Sequence, residues 1–184
     1  MAVDGSALNL PNSITMFRIL MAPIFVFLLL AYPEQGTGQR FLALVLFVLA
    51  ISTDGLDGMI ARRTDKVTDL GKFLDPVADK VLIGGALIAL SVLGEIDWWV
   101  TAVILLREVA VTAYRAMVAK NVVLPASLAG KLKTILQGVA IGVVLAPLEI
   151  WFPLWSLFEQ FTIYLAVAAT VISGITFFMA ARKR

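Results

Sequence analysis

Cysteine and histidine are both absent from this chain of 184 residues. Without cysteine there can be no disulfide, no thiolate nucleophile and no thiolate-held zinc. Without histidine there is no imidazole to carry a proton. Charge is scarce too: Asp, Glu, Lys and Arg make up only 15% of the residues, with a formal net charge of +2. A soluble globular domain carries about 25%, so a fold wrapped in a solvated polar shell is excluded. The isoelectric point near 9.0 says little about partners until the basic residues are located, and no nucleic-acid partner is expected. Any catalysis must rest on carboxylates, Lys, Arg, hydroxyls or a bound metal.

What the chain has instead is apolar sequence: 60% of its residues are hydrophobic, and its mean hydropathy is +0.94. A membrane-crossing helix needs about 20 mostly apolar residues. Six stretches meet that need: Ile14–Ala31, Phe41–Ala61, Asp75–Leu93, Trp98–Val118, Leu132–Trp151 and Gln160–Ala181. The expected fold is therefore all-α, a single polytopic membrane domain over 1–184 with six transmembrane helices. Residues 1–13 are a candidate interfacial segment. The first stretch lacks the basic start and small-residue cleavage site of a signal peptide, and no internal repeat or low-complexity tract is visible.

Lys and Arg set the orientation. With the N-terminus inside, the inner loops and span ends collect Arg62, Arg63, Lys66, Lys72, Arg115, Lys120, Lys131, Lys133, Arg182, Lys183 and Arg184, whereas the outer side has only Arg40. That asymmetry satisfies the positive-inside rule and makes both termini cytoplasmic. The outer loops hold Glu34, Glu95, Asp97, Glu149 and Glu159, with Trp98, Trp99, Trp151 and Trp155 where an aromatic belt belongs.

The chemistry is concentrated between the second and third spans. There the chain reads Asp54-Gly-Leu-Asp57-Gly58-Met-Ile-Ala61-Arg62, then eight residues, then Gly71-Lys-Phe-Leu-Asp75-Pro-Val-Ala-Asp79. A carboxylate in a membrane is unfavourable unless paired, hydrated or metal-bound. Spacings of three and four residues put each aspartate pair on one helix face, and two antiparallel helices would turn the pairs toward each other. Four oxygen donors suit a hard divalent cation, Mg²⁺ or Mn²⁺. Two ions about 3.5–4 Å apart could clamp both sides of a phosphoryl displacement. Gly58 and Gly71 leave room for a close approach, and Pro76 predicts that the third helix begins at Asp75. Taken singly, each aspartate reads equally well as a helix cap or a solvated surface acid.

Together these residues resemble the signature of the CDP-alcohol phosphotransferase family: Asp-x-x-Asp-Gly-x-x-Ala-Arg, about eight residues, then Gly-x-x-x-Asp-x-x-x-Asp. Every fixed position is present, and the six-span layout carries the resemblance over essentially the whole chain. It implies displacement of CMP from a CDP-linked lipid by an alcohol hydroxyl. It further implies that Asp54, Asp57, Asp75 and Asp79 hold metal, with Asp79 also the general base. Asn12, Thr15, Gly58, Arg62, Thr68 and Gly71 would hold the CDP-lipid. Relatives are homodimers, and the small residues Gly84, Gly85, Ala86, Ala89 and Gly94 would permit close helix contact.

The acceptor is suggested by basic residues farther on. Arg107 and Arg115, eight apart on the fourth span, lie close to one helix face, and Lys131 and Lys133 open the fifth. Together they read as an anion pocket for a phosphorylated alcohol. The run Arg-Glu-Val-x-Val-Thr-x-x-Arg, followed by Gly-Lys-x-Lys-Thr, is similar to the bacterial phosphatidylglycerophosphate synthases, which implies CDP-diacylglycerol and glycerol 3-phosphate as substrates at the inner membrane. Two blander readings stand beside this: Arg107 paired with an acid in the bundle, and Lys131 and Lys133 as membrane anchors. Other acceptors (inositol phosphate, serine or phosphatidylglycerol) use the same chemistry. A prenyltransferase would lack the Gly and Ala-Arg spacing, and an ion-coupled transporter would show paired repeats and broken helices.

Overall fold

The computed structural model describes residues 10–31, 36–64, 69–118 and 128–182, with side chains at 16, 18–31, 36–53, 77–78, 80–118 and 128–182. Among the described residues are six helices and no strand: α1 Leu10–Ala31, α2 Thr37–Thr64, α3 Asp69–Val92, α4 Trp98–Val118, α5 Leu128–Leu145 and α6 Trp155–Arg182. The all-α expectation holds. A helix of 20 residues is about 30 Å long, and five of the six meet or exceed that length; α5, at 18 residues, falls just short.

Several boundaries differ from the sequence expectation. Leu10 to Ser13, assigned to a possible interfacial segment, form the start of α1. Helix α3 starts at Asp69, so Asp75 and Pro76 lie inside it. The residue before a proline is only biased away from helix, and neighbouring helices can re-satisfy the backbone group a proline frees. At the other end, α5 stops at Leu145 rather than Trp151. Pro147 explains this: it disfavours a helical Ala146, and a chain of turns through Trp151 and Phe152 leads into α6.

Helix α3 ends in a Schellman motif. Gly94 adopts φ 76°, the Gly94 amide donates to Ser91 O at 3.1 Å, and the Glu95 amide donates to Leu90 O at 2.9 Å. Glycine reaches that conformation without a Cβ penalty, and the two bonds satisfy carbonyls that the helix end would leave open. Ile96 tucks inward beside it, 3% exposed. A buried hydroxyl pair, Ser91 Oγ to Thr101 Oγ1 at 2.7 Å, then ties the end of α3 to α4.

Large apolar side chains cover the outer faces of the helices. On α1, Leu20, Ile24 and Phe27 face outward while Arg18 is buried at 1% exposure. Leu42, Val45 and Leu49 on α2, Val81, Ile88 and Val92 on α3, and Leu106, Val109 and Met117 on α4 repeat the pattern. So do Leu128, Leu132 and Ile135 on α5, and Phe161, Ile172 and Ile175 on α6. Buried among the apolar core residues are Ser91, Thr101, Lys133, Gln137, Thr162, Thr170 and Ser173. Soluble monomers rarely expose continuous apolar surface on this scale. Helices α5 and α6 are each long and apolar enough to cross a membrane, and shorter apolar stretches lie within α1, α2 and α3.

The chain forms two compact units, Met1–Ala89 and Leu90–Arg184. In the first, α1 packs along α2, with Phe25 against Phe47 at 5.8 Å between ring centres. Helix α3 meets α1 where a Cβ on Gly85 would come within 3.0 Å of Val26 Cγ2. Gly85 thus serves packing inside the unit, and Ala86 and Ala89 are fully buried there. In the second unit, α6 packs against both α4 and α5. Trp99 stacks on Tyr164, and Tyr114 meets Phe177 and Phe178 edge-on, so α4 and α6 run parallel.

Candidate active site

The first unit places the acidic signature on two helices. Asp54 and Asp57, with Gly58 and Arg62, lie on α2, while Gly71, Asp75 and Asp79 lie on α3. Asn12 and Thr15 lie on the first turns of α1. The side chains of these residues are outside those described, and Thr68 is outside the described residues altogether.

Two contacts of α1 fix a register count along the unit. Helices α1 and α2 are joined by a short connection and run antiparallel through the Phe25–Phe47 contact. Seven residues back from Phe25 is Arg18, and seven forward from Phe47 is Asp54. Helix α3 runs parallel to α1 through Val26 and Gly85. Eight residues back from each are Arg18 and Val77, and Val77 sits midway between Asp75 and Asp79. Counted from those contacts at equal rise per residue, Arg18 corresponds in register to Asp54 on α2 and to Val77, between Asp75 and Asp79, on α3.

Arg18 is a residue that the sequence reading missed. Among the described residues it is the largest fully buried side chain, 1% exposed, and it is not without a partner. A buried cation is stable only where anions compensate it. The signal was available as a lone arginine in the apolar run of α1, six residues after Asn12 and three after Thr15.

The second unit resolves the four basic candidates into two groups. Helix α4 turns Leu106 and Val109 outward, which turns Arg107 and Glu108 inward. Their side chains are only 13% and 15% exposed, and Arg107 Nη1 donates to Glu108 Oε1 at 3.1 Å. Lys133, 5% exposed, reaches the same Oε1 from α5. The structure therefore joins Arg107 to Lys133 through Glu108, a carboxylate that spacing alone did not single out. Arg107 Nε is buried with no hydrogen-bond partner. The arginine stem runs over Gly174 of α6, where a Cβ would stand 3.2 Å from Arg107 Cγ.

Arg115 and Lys131 are not part of that cluster. Both are exposed, and the Arg115 guanidinium lies 5.2 Å from the centre of the Phe177 ring. The face shared by Arg107 and Arg115 in the sequence thus divides into a buried half and an exposed half.

Comparison with known proteins identifies the family. The sequence profile of the CDP-alcohol phosphatidyltransferase family matches residues 8–176, from before α1 into α6. The chain belongs to the CDP-alcohol phosphatidyltransferase family. A Mycobacterium tuberculosis protein named probable phosphatidylglycerophosphate synthase is 46% identical over 141 residues, covering 77% of this chain and 68% of that protein. A Bacillus subtilis protein named CDP-diacylglycerol–glycerol-3-phosphate 3-phosphatidyltransferase is 39% identical over 184 residues, covering 92% of this chain and 93% of its own. An Escherichia coli protein of the same name is 38% identical over 149 residues, with 78% and 80% covered.

Proposed function

We propose that this family member transfers the phosphatidyl group of CDP-diacylglycerol to glycerol 3-phosphate, releasing CMP and forming phosphatidylglycerophosphate. The observation that carries this is the complete two-part aspartate signature, borne on α2 and α3. It lies in a chain similar along 92% of its length to a protein named for that reaction.

The residues take the following roles. Asn12, Thr15, Gly58, Arg62, Thr68 and Gly71 hold the cytidine diphosphate of the lipid donor. Asp54, Asp57, Asp75 and Asp79 hold divalent metal, two ions of Mg²⁺ or Mn²⁺, and this all-oxygen donor set fits such hard cations. Bound there, the metal neutralises charge on the phosphates during transfer. Asp79 accepts the proton of the acceptor hydroxyl, a carboxylate serving as base in a chain without histidine. The acceptor oxygen forms its bond to the lipid-linked phosphorus as the bond to the CMP oxygen breaks. Arg107, Arg115, Lys131 and Lys133 receive the phosphate of the acceptor, with the Arg107–Lys133 pair nearest the interior.

The outward apolar stripes support a six-span arrangement in a bacterial cell membrane. In that arrangement both termini and the aspartates face the cytoplasm, in contact with membrane lipids and as a homodimer. The deciding experiment is CMP release by purified protein given CDP-diacylglycerol. Release that depends on glycerol 3-phosphate is expected. Release that responds instead to inositol phosphate, serine or phosphatidylglycerol would move the chain to another acceptor, and no release with any of them would overturn the reading.

A further inference from the structure

We propose that Glu108 is a positioning residue, holding Arg107 and Lys133 as one preformed anion-binding fork. This rests on the reading that the acceptor phosphate binds there. Two cations drawn from different helices repel each other at hydrogen-bonding range, and the repulsion grows where water is scarce. A single carboxylate oxygen, Glu108 Oε1, accepts from both Arg107 Nη1 and Lys133 Nζ, which fixes the cations side by side.

The choice of atoms on Arg107 is informative. Glu108 takes Nη1, which leaves the Nε/Nη2 edge of the guanidinium outside the ion pair. That edge presents two parallel N–H groups, matched to two oxygens of a phosphate. Its Nε is buried with no hydrogen-bond partner, an arrangement that is unfavourable unless an acceptor completes it. Gly174 completes the seat, because any side chain there would press on Arg107 Cγ at 3.2 Å and shift the fork. Glu108 thus acts through Arg107 and Lys133, not on the substrate.

The test uses full-length protein in detergent. Melting temperature is titrated with glycerol 3-phosphate and with inorganic phosphate, and acceptor KM and kcat are measured at saturating CDP-diacylglycerol. Glu108→Gln is expected to need about ten- to a hundredfold more of either anion for the same stabilisation, matching one lost charge-assisted contact. Acceptor KM should rise in step, with the KM for CDP-diacylglycerol unchanged. Glu108→Asp, which keeps the charge, should recover part of the loss.

An anion response in Glu108→Gln that is unchanged or tighter would overturn the proposal, since the carboxylate would then be idle or a competitor. A fall in kcat with unchanged anion midpoints would reduce Glu108 to a structural role and overturn it equally. Arg107→Gln and Lys133→Gln keep the two readings apart. If they weaken the anion response and Glu108→Gln does not, the positioning role fails while the acceptor pocket stands. If none of the three moves it, the pocket fails with it. Should Glu108→Gln not fold, Gly174→Ala decides the matter: it displaces Arg107 without touching a charge, and a several-fold weaker anion response is expected. No change there would overturn the proposal.

Discussion

The two units differ in where they keep their polar groups. In Met1–Ala89 the described interior side chains are alanine, leucine, isoleucine and phenylalanine, broken by Arg18 alone, and the signature acids lie on α2 and α3. In Leu90–Arg184 polar residues run through the interior of α4, α5 and α6, from Thr101 to Lys133, Gln137, Thr170 and Ser173. The first arrangement suits a compact charged centre assembled from neighbouring stretches of chain. The second suits a graded polar lining assembled from distant ones. Gln137 Nε2 reaches Thr170 Oγ1 at 2.8 Å across 33 residues of sequence, and Lys133 reaches Glu108 across 25.

If the charged centre belongs to the first unit, its loss should be the most severe. Asp79→Asn should lower kcat by roughly 10²–10⁴-fold, the usual worth of a positioned base. Binding of the CDP-lipid, read by equilibrium titration, should persist. Chelator should likewise abolish CMP release, and added Mg²⁺ or Mn²⁺ should restore it. Turnover of Asp79→Asn near the wild-type rate would dissolve the contrast between the units.

Arg18 tests the same centre from its cationic side. Removing one partner of a buried charge pair costs about 3–5 kcal/mol, so Arg18→Met should lower both melting temperature and turnover sharply. Arg18→Lys should restore charge without the planar fork and recover only part. A fully stable, fully active Arg18→Met would show that the acidic signature does not need it.

For the second unit the expected effects are graded. Arg107→Gln and Lys133→Gln should each raise the acceptor KM about ten- to a hundredfold. Arg115→Gln and Lys131→Gln, both at exposed positions, should raise it less. The reverse order would place the acceptor phosphate at the exposed end. The smallest effect belongs to the polar lining itself. Thr170→Val should cost about 0.6 kcal/mol, the average for a hydrogen bond between membrane helices, measurable as a slight loss of thermal stability with kinetics intact.

This contrast also explains what could be read in advance. The acidic signature was legible because it is contiguous: helix periodicity brings residues three and four apart together without any tertiary information. The number of helices and the exact bounds of α4 followed from apolar run length and the flanking Trp98 and Val118. The start of α3 did not, because the effect of Pro76 on the preceding turn depends on what packs around it. The pairing of Lys133 with Glu108 was equally out of reach, since it depends on how α4 and α5 are both seated on α6. Nor did spacing separate Arg107 from Arg115, because two positions on one helix face can sit at very different depths.

The tight turn at Gly94 offers an unplanned convenience. Glu95 and Asp97 stand exposed on either side of the buried Ile96, and the chain has no cysteine of its own. Every single-cysteine variant is therefore already in a thiol-free background. A cysteine at position 95 or 97 would be a lone chemical handle between α3 and α4, open to a membrane-impermeant reagent on one side of an intact cell and silent on the other.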